Sequence, residues 1–124
     1  MATTALNEEN FEKTISENDI VIIDFWAPWC GPCKSFGPIF EKTSEKFPDI
    51  VFAKVNTEEE QNLAGYFQIR SIPTTIILRE GIGVFQQAGA LPEEALVDIL
   101  GQVQALDMEA VRKEVEAQQA NKES

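Results

Sequence analysis

The sequence predicts a single α/β domain, a central mixed β-sheet of about five strands flanked by helices on both faces. Ile20 to Trp26 (IVIIDFW) is a nearly continuous apolar, β-branched and aromatic run, the pattern of a central strand covered on both sides. Helical patterns separate it from further apolar runs at Ile50 to Val55 and Thr74 to Leu78, as an alternating α/β order requires. The 124 residues, 44% hydrophobic and 25% charged, can bury one sizeable core and have the composition of an ordinary soluble globular protein.

The elements follow in order. Asn7 can cap a helix whose first turn carries Glu8 and Glu9 and whose apolar face carries Phe11 and Ile15, ending near Asn18. After the strand Ile20 to Trp26, the segment from Cys30 to Phe47 sets Phe36, Ile39, Phe40 and Phe47 at mostly helical spacing, and Pro38 should kink it. Ile50 to Val55 is the next strand, Glu58 to Phe67 a helix, and Thr74 to Leu78 another strand. Glu80 and Gly81 form a turn into an antiparallel strand at Val84 to Ala88, and Pro92 sits in the first turn of the next helix. The order read from the residues is helix, β-α-β-α-β-β, helix. Residues 1–105 are read as the domain and residues 106–124 as a polar extension. Asp107 there can cap a short helix with a frayed end, a solvated end or a partner-docking helix.

Charge limits the partners. Ten Lys and Arg against twenty-one Asp and Glu give a net charge of -11, which repels phosphate backbones and anionic lipid, so no nucleic acid and no membrane partner is expected. No apolar run approaches the roughly 20 residues needed to cross a bilayer. The first ten residues lack a basic stretch followed by an apolar one, and no Arg precedes Arg70, so the cytoplasm is the expected compartment. No long apolar surface stripe remains once both sheet faces are covered, and a monomer is expected.

The chemistry points to Cys30 and Cys33, the only cysteines, in a chain without histidine. A tetrahedral Cys/His zinc site cannot be assembled within one chain, although four sulfurs from two copies could converge. A purely structural disulfide would close a loop so short that it restricts the unfolded chain by only about 2 kcal/mol. Reversible exchange explains the spacing better: two thiols one helical turn apart let one attack a substrate disulfide and the other resolve the mixed disulfide. The pair also lies where a strand ends and a helix begins, where unpaired amides favour a thiolate. Cys30, at the helix mouth, is read as the nucleophile, Cys33 as the resolving thiol, and Pro32 as a first-turn residue. A carboxylate within the strand Ile20 to Trp26 would be desolvated, so Asp24 is read as exchanging protons with Cys33. A solvated aspartate at a strand end is the alternative.

Trp29-Cys30-Gly31-Pro32-Cys33-Lys34, preceded by Asp24-Phe25-Trp26-Ala27-Pro28, resembles the active-site segment of the thioredoxin family. The likeness continues in Phe52 to Asn56, Ile69 to Thr74 and Gly89-Ala90-Leu91, from about Ala5 to Val103. It implies the thioredoxin fold and a protein disulfide reductase that binds no cofactor itself. It also implies disulfide-bonded client proteins as partners and re-reduction by thioredoxin reductase, which draws on NADPH. Residue by residue, it implies a catalytic set of Cys30, Cys33, Asp24 and Lys54, the lysine lying near the aspartate, where an ordinary strand-end lysine is almost as plausible. It implies a cis bond before Pro73 and an apolar collar of Trp29, Gly31, Pro32, Ile72, Pro73, Gly89 and Ala90, with the Ile72 backbone pairing an extended substrate. Ser71 and Thr75 stand where relatives commonly carry glycine and a larger apolar residue, differences that bear on groove shape and substrate preference. An oxidase or isomerase would use the same thiols, and a binding module the same collar without turnover.

Overall fold

The computed structural model describes residues 3–123. The elements are β1 (Thr3–Ala5), α1 (Glu8–Glu17), β2 (Ile20–Trp26), α2 (Gly31–Ser44), β3 (Val51–Asn56), α3 (Gln61–Tyr66), β4 (Thr74–Arg79), β5 (Ile82–Ala88), α4 (Glu93–Gln104) and α5 (Met108–Glu123). They form one five-stranded sheet in the order β1-β3-β2-β4-β5. β1, β3 and β2 run parallel, while β4 is antiparallel to both β2 and β5. The apolar run of β2 therefore lies in the middle of the sheet, as its lack of polar alternation requires.

Successive side chains of a strand point to opposite faces, and the core divides accordingly. Ile20, Ile22, Phe52 and Ile77 pack with Phe36 and Phe40 of α2 and with Leu96, Leu100 and Val103 of α4. Val21, Ile23, Phe25, Ala53 and Val55 pack on the other face with Leu63 of α3 and with Phe11 and Ile15 of α1. Phe36, Phe40 and Phe52 are almost fully buried, and each such side chain contributes ~1.5–3 kcal/mol by leaving water. By the same alternation, Asp24 projects to the α2/α4 face.

Several boundaries differ from the sequence reading. β1 was not foreseen; its three residues pair with Phe52 to Lys54 on the sheet edge. α2 ends at Ser44, not Phe47, where the Thr43 hydroxyl donates to the Ile39 carbonyl and the Ser44 hydroxyl to the Glu41 carbonyl, the local bonding by which such residues compete with helix. α3 starts at Gln61, not Glu58, because the Asn56 side chain accepts from the Glu58 and Glu59 amides and holds them in a turn. β5 begins two residues early, at Ile82: Glu80 and Gly81, with φ of 53° and 78°, make a two-residue hairpin turn flanked by the pair Arg79 and Ile82. Pro92 is the N-cap of α4 and lies outside its first turn. Asn7 caps α1 as read, its side chain accepting from the Asn10 amide while the Asn10 side chain accepts from the Asn7 amide.

The extension is a helix of sixteen residues, longer than expected. Met108 anchors it in buried contact, the Asp107 side chain accepts from the Glu109 and Ala110 amides, and Arg112 pairs with Glu80 of the hairpin turn. The expected frayed end falls partly on Ser124, outside the described residues. The end of α4 is held from the sheet: Nη1 of Arg79 lies 2.7, 3.2 and 3.0 Å from the carbonyls of Val103, Gln104 and Leu106. Among the described residues, no helix is long and apolar enough to cross a membrane.

Candidate active site

The buried end of β2 delivers the chain directly to the cysteines. Cys30 is the N-cap of α2, with extended backbone, and its Sγ accepts the Cys33 amide at 3.1 Å. A sulfur here occupies the position of a capping oxygen, so it faces unpaired amides and the positive end of the helix dipole. Pro32 stands in the first turn, where its missing N–H costs nothing. Cys30 and Cys33 are joined as a disulfide with Cα atoms 5.2 Å apart. Their exposures, 4% and 5%, do not distinguish the two residues; what differs is the capping position, which Cys30 holds. Pro38 lies inside α2 and has no amide to offer the Lys34 carbonyl.

The residues expected to form a collar lie on three segments of the chain. Ile72 packs with Ala27, Cys30 and Cys33, and the Ile72–Pro73 bond is cis. Gly89, at φ 97°, donates its amide to the Pro73 carbonyl at 2.8 Å, tying the end of β5 to that loop; the left-handed backbone favours glycine there. Gly31, Pro32 and Ala90 are exposed, and Trp29 is 67% exposed with its Nε1 donating to the Glu58 carboxylate.

Asp24 is not a solvated strand-end residue. It is fully buried, and neither carboxylate oxygen has a hydrogen-bond partner among the described residues. Burial pushes its pKa from the ordinary carboxylate range up to about 7, with the Lys54 cation opposing the shift. Lys54 pairs directly with Asp24 across β2 and β3, and its Nζ lies 5.2 Å from the centre of the Trp26 ring. One cleft runs past Trp26, Ala27, Cys33 and Lys54, so the second cysteine and the lysine share a lining. Such a carboxyl can take or give a proton near neutral pH, and the disulfide can exchange with other thiols. Among the described residues, no group of three or more His, Cys, Asp or Glu side chains could hold a metal ion.

The family model described as Thioredoxin matches residues 2–102. The chain belongs to the thioredoxin family. A Streptomyces coelicolor relative described as a candidate thioredoxin 2 is 56% identical over 119 residues, covering 96% of this chain and 89% of its own. Thioredoxin from Haemophilus influenzae is 37% identical, over 78% of this chain and 92% of its own. The solved structure of Fasciola hepatica thioredoxin superimposes with a TM-score of 0.76 at 29% identity, over 81% of this chain and 98% of that one. The fold is therefore the thioredoxin fold and the activity that of a thiol-disulfide oxidoreductase. The Streptomyces match takes in most of α5, since it leaves only five of the 124 residues outside.

Three neighbours of the site were not foreseen. Glu58 is read from the sequence only as a helix start, and Trp26 as a strand residue within the segment carrying the resemblance, not as the ring beneath Lys54. Thr75 was assigned to the groove, but it is fully buried and pairs with Asp24 across β2 and β4. The signal for it was a second polar residue after Thr74, on the strand face that carries Ile77.

Proposed function

We propose that the chain is a protein disulfide reductase that cycles between dithiol and disulfide at Cys30 and Cys33. The observation that carries this reading is the capping geometry: Cys30 Sγ sits at the mouth of α2, receiving the Cys33 amide, where a thiolate is stabilised. Cys30 attacks one sulfur of a client disulfide, forming a mixed disulfide and expelling the client's other sulfur as a thiolate that takes up a proton. Cys33 then loses its proton to the Asp24 carboxylate and attacks Cys30 Sγ, releasing the second client thiol. Two electrons pass to the client, and the chain is left with its own disulfide.

Lys54 opposes the desolvation of Asp24 and keeps its ionised form accessible at neutral pH. Trp29, Gly31, Pro32, Ile72, Pro73, Gly89 and Ala90 form the collar, with the Ile72 backbone offering strand-like pairing to an extended client segment. Thioredoxin reductase restores the dithiol with electrons from NADPH, and the chain acts in the cytoplasm as a monomer. Residues 106–124 are appended to a domain at residues 1–105, a division supported by the end of the family match at residue 102.

The test is NADPH oxidation with thioredoxin reductase and insulin across pH 5–9 (about neutral ± 2), comparing the parent with Cys30→Ser and Asp24→Asn. Turnover should vanish in Cys30→Ser. In Asp24→Asn it should slow and lose its dependence on a group titrating near pH 7. No turnover by the folded, reduced parent would favour an oxidant or a binding module, and an unchanged pH profile in Asp24→Asn would remove that residue from the mechanism.

A further inference from the structure

Beside Asp24 lies a second buried polar group that the exchange reaction has not used. Thr75 is the direct antiparallel partner of Asp24, Lys54 its parallel partner on the other side, and the three side chains project to the same face. Thr75 is 0% exposed, and its Oγ1, like both oxygens of Asp24, has no hydrogen-bond partner among the described residues. A buried hydroxyl and a buried carboxyl at facing positions are each unsatisfied unless they meet. Cross-strand Cβ atoms stand about 4.5–5.5 Å apart, a gap that rotation about χ1 of Thr75 and Asp24 can close to hydrogen-bond distance.

We propose that Thr75 is a positioning residue for Asp24, its hydroxyl turning onto the carboxylate and holding it in the ionised state that receives the Cys33 proton. The inference rests on the proton-transfer reading of Asp24 given above. A hydroxyl can donate to a carboxylate or accept from a carboxylic acid, but the bond to the charged form is the stronger, so Thr75 favours ionisation. The other groups facing the site are few. Lys54 of β3 acts in the same direction, Cys33, Lys34 and Glu41 of α2 line the cleft shared with Lys54, Gln87 of β5 is neutral, and α4 presents the apolar Leu96, Leu100 and Val103. Among them Thr75 is the uncharged hydrogen-bond donor paired directly with Asp24. A larger apolar residue at this position would leave the carboxyl facing hydrocarbon.

The test is the titration of the Asp24 side-chain carbon by NMR in the oxidised protein, for the parent, Thr75→Val and Thr75→Ser. This readout follows Asp24 itself and holds whether or not Asp24 serves Cys33, which the Asp24→Asn kinetics decide separately. Thr75→Val should move the midpoint upward by roughly one pH unit, a tenfold change in the ratio of neutral to ionised carboxyl. Thr75→Ser, which keeps the hydroxyl and loses a methyl, should titrate like the parent. The C=O stretch of protonated Asp24 should rise in frequency in the valine variant and not in the serine one. If the valine midpoint equals the parent's, or the serine midpoint equals the valine's, Thr75 only fills space and the proposal is wrong. Thr75→Ala supplies the same comparison if the valine variant does not fold.

Discussion

β4 begins beside a fully buried ionisable group and ends in a half-buried one, and the two are treated differently. Arg79, at the end of the strand, spends Nη1 on three carbonyls at the exit of α4 and sets its Nε 3.6 Å from the Asp19 carboxylate. Asp24, paired with the second residue of the strand, has no hydrogen-bond partner among the described residues and one cation that only partly offsets its burial. Arg79 keeps its charge by giving one nitrogen to three carbonyls, although its Nε has no hydrogen-bond partner among the described residues; a buried charge met so little as that of Asp24 is costly and titrates away from its ordinary range. The contrast separates a structural pole of the sheet from a reactive one.

The largest effect should come from removing the unsatisfied charge. Because burial raises the Asp24 pKa to about 7, the folded chain binds this proton more tightly than the unfolded chain, so the associated stability is full below about pH 3.8 and is lost as pH rises through 7. Asp24→Asn cannot ionise, and relative to the parent it should gain roughly 4 kcal/mol between about pH 4 and pH 8, measured by denaturant unfolding of the oxidised proteins. A gap that does not widen with pH would break the comparison at its reactive pole. Arg79→Ala should do the opposite, losing about 2–3 kcal/mol at every pH in that range by stripping the α4 carbonyls of a charged donor. Insulin reduction per folded molecule should be unchanged. Smallest, Lys54→Met should move the Asp24 midpoint further upward in the same NMR titration, since the cation opposes desolvation; a downward shift would mean that the lysine does not act through its charge.

Legibility in the sequence followed the same division. β2 was readable to the residue because six of its seven positions are apolar, β-branched or aromatic, broken only by Asp24, in a run of strand length. The cysteine pair was readable because its spacing and its place after that strand both follow from local chain geometry. β1 was not, since three residues carry no period and gain their conformation only by pairing with β3. The start of α3 was hidden because a single Asn56 side chain captures two amides that the periodicity assigned to the helix. Thr75 was visible as a departure from the family pattern, but its meaning depended on the register of β2 against β4, which no local signal specifies.

The disulfide at the mouth of α2 has a consequence for counting. Because Cys30 and Cys33 are the only thiols in the chain, a reduced molecule offers two alkylatable sulfurs, an oxidised one none, and one caught in mid-exchange a single sulfur. Mass alone therefore assigns every molecule in a mixture to its step in the cycle. A chain carrying Cys33→Ser can join a client through Cys30 and no other atom, so each client it retains is a record of which disulfides fit against the collar.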